Sequence, residues 1–161
     1  MNTVTLNRKE ATKAAFMGVL RRMTNIFGEV KQHDKNIKYI GGTGWSNDIE
    51  AAGAELAFAK FINEEWVGSV NTFHAPDVGD CWQVRYTDNE DGRLIIRKRD
   101  ESKRDHKFVL ITGAIPKYYV HGYILGKDGF NEKYIFNPNN GTPAYFIPKS
   151  DLIKFNNENN N

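Results

Sequence analysis

Ala75-Pro76-Asp77-Val78-Gly79-Asp80-Cys81-Trp82-Gln83-Val84-Arg85-Tyr86-Thr87 is the stretch on which the reading of this chain turns. Pro76-Asp77 opens it, Val78-Gly79 marks a turn, and polar and apolar residues alternate from Asp80 to Thr87. Successive side chains of a strand point to opposite faces. Asp80, Trp82, Val84 and Tyr86 then share one face, and Cys81, Gln83, Arg85 and Thr87 the other. A turn at Gly79 can fold Asp77 back beside Gln83 and Arg85. An acid, an amide and a guanidinium on one small patch suit a metal ion and a phosphate. The same residues also suit a hairpin with a solvated polar face.

Upstream, the periodicity is helical. Asn7 with Glu10 has capping-box spacing, and Ala11, Ala14 or Ala15, Val19, Met23 and Ile26 or Phe27 form an apolar stripe, so residues 7–27 are predicted to be a helix that stops at Gly28. Arg21 and Arg22 stand near its C-terminal end, where the helix dipole favours cations. Residues 28–44 are polar and end in Gly41-Gly42-Thr43-Gly44, without the G-K-[ST] ending of a phosphate loop, and read as a linker. A second helix is predicted from Asn47, with Glu50 at its capping-box position, to Asn63. It is apolar nearly all round, as buried helices are. Glu55 lies within it, and a buried carboxylate needs a cation, a metal ion or hydrogen-bond donors.

Downstream, the pattern is that of strands. The expected ones are Trp66–Phe73, Asp80–Thr87, Arg93–Arg99 returning from an Asp91-Gly92 hairpin turn, the continuously apolar Phe108–Thr112, Tyr118–Leu125, and a short edge or terminal strand Ala144–Ile147 before Pro148. Ser150–Phe155 reads as one helical turn, and residues 156–161 as a disordered polar tail. The order implies one α+β domain over residues 1–155, with two N-terminal helices packed on a mixed, mostly antiparallel sheet of five to six strands.

The 161 residues carry 22 basic and 20 acidic side chains, a net charge of +2. That balance alone does not argue for nucleic acid, but the distribution is uneven. Arg8, Lys9, Lys13, Arg21 and Arg22 gather in the first helix, and Arg93, Arg97, Lys98, Arg99, Lys103, Arg104 and Lys107 in the middle. Cys81 is the only cysteine, which excludes a disulfide framework and a thiolate zinc site. No apolar run reaches the roughly 18–20 residues of a membrane span, and the first residues lack the build of a signal peptide. A cytoplasmic protein without a membrane partner is expected.

A helix carboxylate, then Pro-Asp, then an oxygen donor and a base two residues apart on a strand resembles the PD-(D/E)XK nuclease superfamily. More narrowly, the run G-A-E-L-A-F-A-K (53–60), V-N-T-F-H-A-P-D-V-G-D (70–80), Q-V-R (83–85), L-I-I-R (94–97), F-V-L-I-T-G (108–113), V-H-G-Y-I (120–124) and P-A-Y-F-I-P (143–148) is similar to a group of small phage-encoded proteins. The resemblance implies a restriction-endonuclease-like core and a Mg²⁺- or Mn²⁺-dependent DNA endonuclease, possibly structure-specific, in the host cytoplasm. It makes Asp77 the central metal ligand, Glu55 the helix carboxylate, Gln83 the third oxygen donor and Arg85 the residue at the lysine position. A divalent ion would activate water and neutralise charge on the phosphate, and hard oxygen ligands suit it.

Two positions depart from the superfamily pattern. Gln83 is neutral, and Arg85 is permanently charged and cannot act as a base, although it can hold a phosphate bidentately. Asp80 falls on the opposite face by alternation, and His74 is a further candidate ligand or base, or a structural side chain. Arg93, Arg97, Lys98 and Arg99 could form a phosphate-positioning edge, extended by Lys13, Arg21 and Arg22. Trp45, Trp66 and Trp82 could stack on bases or pack in the core. The alternative is a catalytically degenerate module on the same fold that binds nucleic acid or a host protein without cleavage. DNA is the expected partner, and a second copy of the chain a further one.

Overall fold

The computed structural model describes residues 2–28, 42–70, 75–138 and 141–156. The chain order is β1 (Asn2–Thr5), α1 (Arg8–Ile26), α2 (Gly42–Phe61), β2 (Trp82–Thr87), β3 (Leu94–Arg97), a 3₁₀ segment (Lys98–Lys103), β4 (Lys107–Ala114), β5 (Lys117–Leu125), β6 (Ile135–Phe136) and β7 (Ala144–Ile147). This is an α+β fold, with its strands divided between two sheets instead of one. The first sheet has the order β1-β5-β4-β2, in which β2 runs parallel to β4 and the other neighbours are antiparallel. The second is antiparallel, in the order β3-β7-β6.

β4 shows why two sheets form. Its apolar run has no polar face, because both of its faces are covered. Val109 and Ile111 join the core beneath α2, with Val84, Val120 and Tyr118. Phe108 and Leu110 join a second core with Leu94, Ile96, Ile124 and Ile147. The expected β2–β3 hairpin is therefore not formed. Leu94 and Ile96 are fully buried only by leaving β2 for the far side of β4. β7 is flanked by β3 and β6, so it is the middle of its sheet and not an edge. Residues 66–70 of the expected first strand form no strand, and the rest of that prediction, with His74, lies outside the described residues. So do residues 157–161 of the predicted tail.

α1 begins as predicted. The Glu10 amide donates to Asn7 Oδ1 at 3.0 Å, and the Asn7 amide to Glu10 Oε2 at 2.7 Å. Its orientation is not the expected one. Ala14, Gly18 and Arg22 are buried, while Val19, Met23, Ile26 and Phe27 of the apolar stripe are exposed. Backbone proximity sets this choice: a Cβ on Gly18 would lie 2.4 Å from Ile49 Cα of α2. Arg22 caps the contact, donating to the Gly44 carbonyl at 2.6 Å and facing Asp48 Oδ2 at 2.8 Å. The dipole role expected of Arg21 and Arg22 is not seen, since the last turn of α1 holds no basic residue.

α2 starts at Gly42, ahead of the Asn47 cap read from sequence, and absorbs the end of the glycine-rich run. Glu50 is consequently not a capping partner. It accepts from the Ile115 amide at 2.9 Å and the Tyr118 hydroxyl at 2.7 Å. Gly53 makes room for that hydroxyl, which a Cβ would meet at 2.0 Å. From Ala52 to Ala59 the helix is buried all round between α1 and the first sheet. No helix among the described residues is long and apolar enough to cross a membrane.

Candidate functional site

The candidate site lies along the outer edge of β2, the last strand of the first sheet. Gly79, at φ +52°, reverses the chain, and the Asp77 amide donates to the Trp82 carbonyl at 2.8 Å while the Trp82 amide donates to the Val78 carbonyl at 3.2 Å. A positive φ suits glycine. The turn lays the Asp77 carboxylate over the strand edge, where Oδ2 accepts from the outward-facing Val84 amide at 2.7 Å. The Asp77 side chain remains 28% exposed, yet desolvation by the surrounding protein raises its pKa, opposed by the nearby Arg85 guanidinium and the Val84 hydrogen bond.

On the helix side stands Glu55 of α2. Arg21 of α1 grips it with a bidentate fork, NH1 to Oε1 and NH2 to Oε2, both at 2.7 Å. Trp66 Nε1 adds a third donor to Oε2 at 3.1 Å. The segment carrying Trp66 is itself tied to α1, since Lys13 Nζ donates to the Trp66 carbonyl at 3.3 Å and Arg21 Nε to the Ser69 carbonyl at 3.0 Å. Burial pushes Glu55 up. Arg21 pulls it down, and Asp77 raises it further, so the two carboxylates sense each other. Burial alone would lower Arg21, but the Glu55 carboxylate outweighs it and raises the guanidinium pKa.

On the opposite face of the sheet stand Gln83 and Arg85. Val84, Trp82 and Tyr86 point to the α2 core, as alternation requires. Gln83 is buried, and every polar atom of its amide is used. Oε1 accepts from Lys103 Nζ at 2.8 Å, and Nε2 donates to the Ala75 carbonyl at 3.1 Å and faces His106 Nδ1 at 3.2 Å. An amide nitrogen only donates, so His106 Nδ1 is the acceptor and its ring proton sits on Nε2. Burial, with Lys103 nearby, lowers the His106 pKa. Arg85 NH2 donates to Asp100 Oδ2 at 2.9 Å, NH1 lies 3.8 Å from Asp77 Oδ2, and the guanidinium stacks 5.0 Å from the Phe108 ring centre. Burial and the neighbouring Arg85 lower the Lys103 pKa, against the pull of Asp100 and Asp77.

Asp77 therefore bridges two half-sites, one on each side of the edge strand. Three acids, Glu55, Asp77 and Asp100, alternate with three cations, Arg21, Arg85 and Lys103. The sequence did not mark Asp100 or His106, placed Lys103 only in a basic cluster, and gave Arg21 to the helix dipole and a phosphate-positioning edge instead of to Glu55. A signal existed for the first two. They are three residues apart in the Lys98–Lys103 3₁₀ segment, where side chains at that spacing eclipse one another and face the same way.

The other candidates are placed differently. Asp80 is exposed in the turn. Arg93, Arg97, Lys98 and Arg99 are exposed, but Arg93 precedes β3 and the others lie on β3 and the following 3₁₀ segment instead of a hairpin with β2; the Arg97 amide donates to Asp100 Oδ2 at 3.1 Å. Arg22 is buried against Asp48 and is not presented to a ligand. Trp66 is buried, and Trp82 packs against Phe58, Tyr123 and Phe155, so both serve the core. Among the described residues no group of three or more His, Cys, Asp or Glu side chains is arranged to hold a metal ion. Comparison with protein-family models, with curated proteins and with solved structures gave no match to this chain.

Proposed function

We propose that this protein is a divalent-cation-dependent DNA endonuclease with a restriction-endonuclease-like core, centred on Asp77. One observation carries the reading. A partly exposed carboxylate, Asp77, sits at the edge of β2 with Oδ2 on the Val84 amide and 3.8 Å from the Arg85 guanidinium, within electrostatic reach of Glu55 on one side and Lys103 on the other. Asp77 and Glu55 would supply the hard oxygens that Mg²⁺ or Mn²⁺ prefers; Gln83 Oε1, expected as a third, lies on the opposite face of the sheet and is held by Lys103. Both Glu55 oxygens are held by the Arg21 fork, so an ion would take Glu55 only by displacing that guanidinium. When bound, the ion would activate water and neutralise charge on the phosphate.

The chain's own residues supply the rest. Arg85 cannot exchange a proton, but its planar fork can hold a phosphate oxygen beside Asp77. Lys103, unlike Arg85, can exchange one, and burial with the neighbouring Arg85 lowers its pKa from the usual lysine value. It thus provides, from the 3₁₀ segment, the basic function that Arg85 at the strand position lacks. The test is cleavage of duplex, branched and single-stranded DNA with Mg²⁺ or Mn²⁺. Wild type should cut at least one of these, and Asp77→Ala should not, while its far-UV circular dichroism stays unchanged. No cleavage of any of the three by wild type sinks the proposal.

A second reading is binding without turnover, to DNA or to a host protein. The closed pairing favours it: both Glu55 oxygens lie on Arg21, and Gln83 Oε1 lies on Lys103. It calls for salt-sensitive DNA binding that EDTA and Asp77→Ala leave unchanged.

A further inference from the structure

The first helix presents the wrong face to solvent. α1 buries Ala14, Gly18 and Arg22 and exposes Phe16, Val19, Leu20, Met23, Ile26 and Phe27. These six recur at three- and four-residue spacing and so form one continuous stripe along the helix. Phe16 is 67% exposed and Phe27 70%. Val67, 82% exposed, belongs to the segment that Lys13 and Arg21 tie against α1, and so flanks the stripe. Single exposed apolar residues are ordinary, but a contiguous stripe of this size marks an interface.

We infer that this face is the interface of a homodimer in which two copies of α1 pack antiparallel. Area is the first argument. The exposed portions of the six side chains sum to roughly 600 Å² per molecule, most of the ~800 Å² per partner that a stable interface buries. Charge is the second. The exposed basic residues of α1, Arg8, Lys9 and Lys13, lie in its N-terminal half, and its last turn has none. A helix C-terminus carries partial negative charge and favours cations. Antiparallel packing directs this basic end of each copy towards the C-terminal end of the other, whereas parallel packing sets like charges together. The stripe centres between Leu20 and Met23, which places the twofold axis there, with Phe16 opposite the second copy's Phe27 and Leu20 opposite its Met23. Arg21, on the neighbouring face of the same helix, stays inside its own molecule on Glu55.

Sedimentation velocity of the full chain over a range of concentrations, with disulfide trapping, tests this. Wild type should sediment as a dimer, and the double variant Phe16→Glu/Leu20→Glu as a monomer with unchanged far-UV circular dichroism, because neither side chain contributes to the core. Lys9→Glu, which leaves the apolar stripe intact, should weaken the dimer at least tenfold at low salt and less at high salt. In a Cys81→Ser background, Leu20→Cys should form an intermolecular disulfide on mild oxidation. Thr12→Cys should not, since two such positions would lie about 28 Å apart across the axis at 1.5 Å per residue. A wild type that stays monomeric at about 100 µM, some hundredfold above a micromolar affinity, overturns the inference. So does a dimer that survives the double glutamate variant, or trapping through Thr12→Cys in place of Leu20→Cys.

Discussion

Replacing Arg21 with methionine should reveal what holds the helix layer to the site. Glu55 and Arg21 are 11% and 15% exposed, so the pair is a buried one, joined by two bonds of 2.7 Å. Removing one partner of such a pair leaves an uncompensated charge and costs about 3–5 kcal/mol. Glu55 keeps the Trp66 indole donor, which places the expected loss near the lower end, about 3 kcal/mol. That is a large share of the ~5–15 kcal/mol that holds a typical domain together.

The loss should also depend on pH. Burial already raises Glu55 in the native protein, and without the guanidinium it rises further. A carboxylate with a raised native pKa binds more protons folded than unfolded, so its contribution to stability is present at low pH and lost as pH rises through the native pKa. Arg21→Met should therefore be more destabilising at pH 7 than at pH 5. Adding Glu55→Gln should recover most of the loss at pH 7 and abolish that difference. Urea unfolding of the wild type and both variants at the two pH values measures this. A loss below about 0.5 kcal/mol for Arg21→Met, the worth of an exposed ion pair, would refute the buried-pair account. So would a loss that does not change with pH.

Other substitutions probe the remaining parts. Gly18→Ala should cost about 1–3 kcal/mol in urea unfolding, because the new methyl meets Ile49 backbone that cannot swing aside. Gln83→Leu should cost about 1–3 kcal/mol, by leaving the Lys103 ammonium and the Ala75 carbonyl without their partner. Lys103→Met should abolish DNA cleavage while preserving the fold, and retained activity would remove lysine from the proposed chemistry. His121, half-buried beside Thr112 and near Lys149 and Lys154, is pushed down to about 4 by burial and those lysines and should show that midpoint by NMR. A histidine with a depressed native pKa binds fewer protons folded than unfolded, so the stability linked to His121 should fall as pH drops from about 6.5 towards 4.

What the sequence made legible was local. The Asn7–Glu10 capping box, the apolar run of β4, the alternation of β5 and the faces of β2 each follow from residues within a few positions of one another. The return of Asp77 over β2 was legible too, because Gly79 permits the turn. Pairing was not. Asp91-Gly92 reads as a hairpin, but β2 takes β4 as its neighbour and β3 takes β7, since only that arrangement buries both faces of Phe108–Thr112. The orientation of α1 was hidden for a similar reason. Its stripe has helical period, but Gly18 decides which face α2 can approach. β1, with Val4 its one buried residue, had too little pattern to find. In the site, Arg21 and Lys103 come from α1 and the 3₁₀ segment and meet β2 and Glu55 only through tertiary packing.

Anomalous diffraction from a crystal soaked in Mn²⁺ shows whether Asp77 and Glu55 together hold a divalent cation. One ion bonded to both carboxylates at about 2.0–2.6 Å is expected, with the Arg21 fork withdrawn from Glu55. An undisturbed Arg21–Glu55 fork at saturating Mn²⁺, with no ion on Asp77, would contradict it.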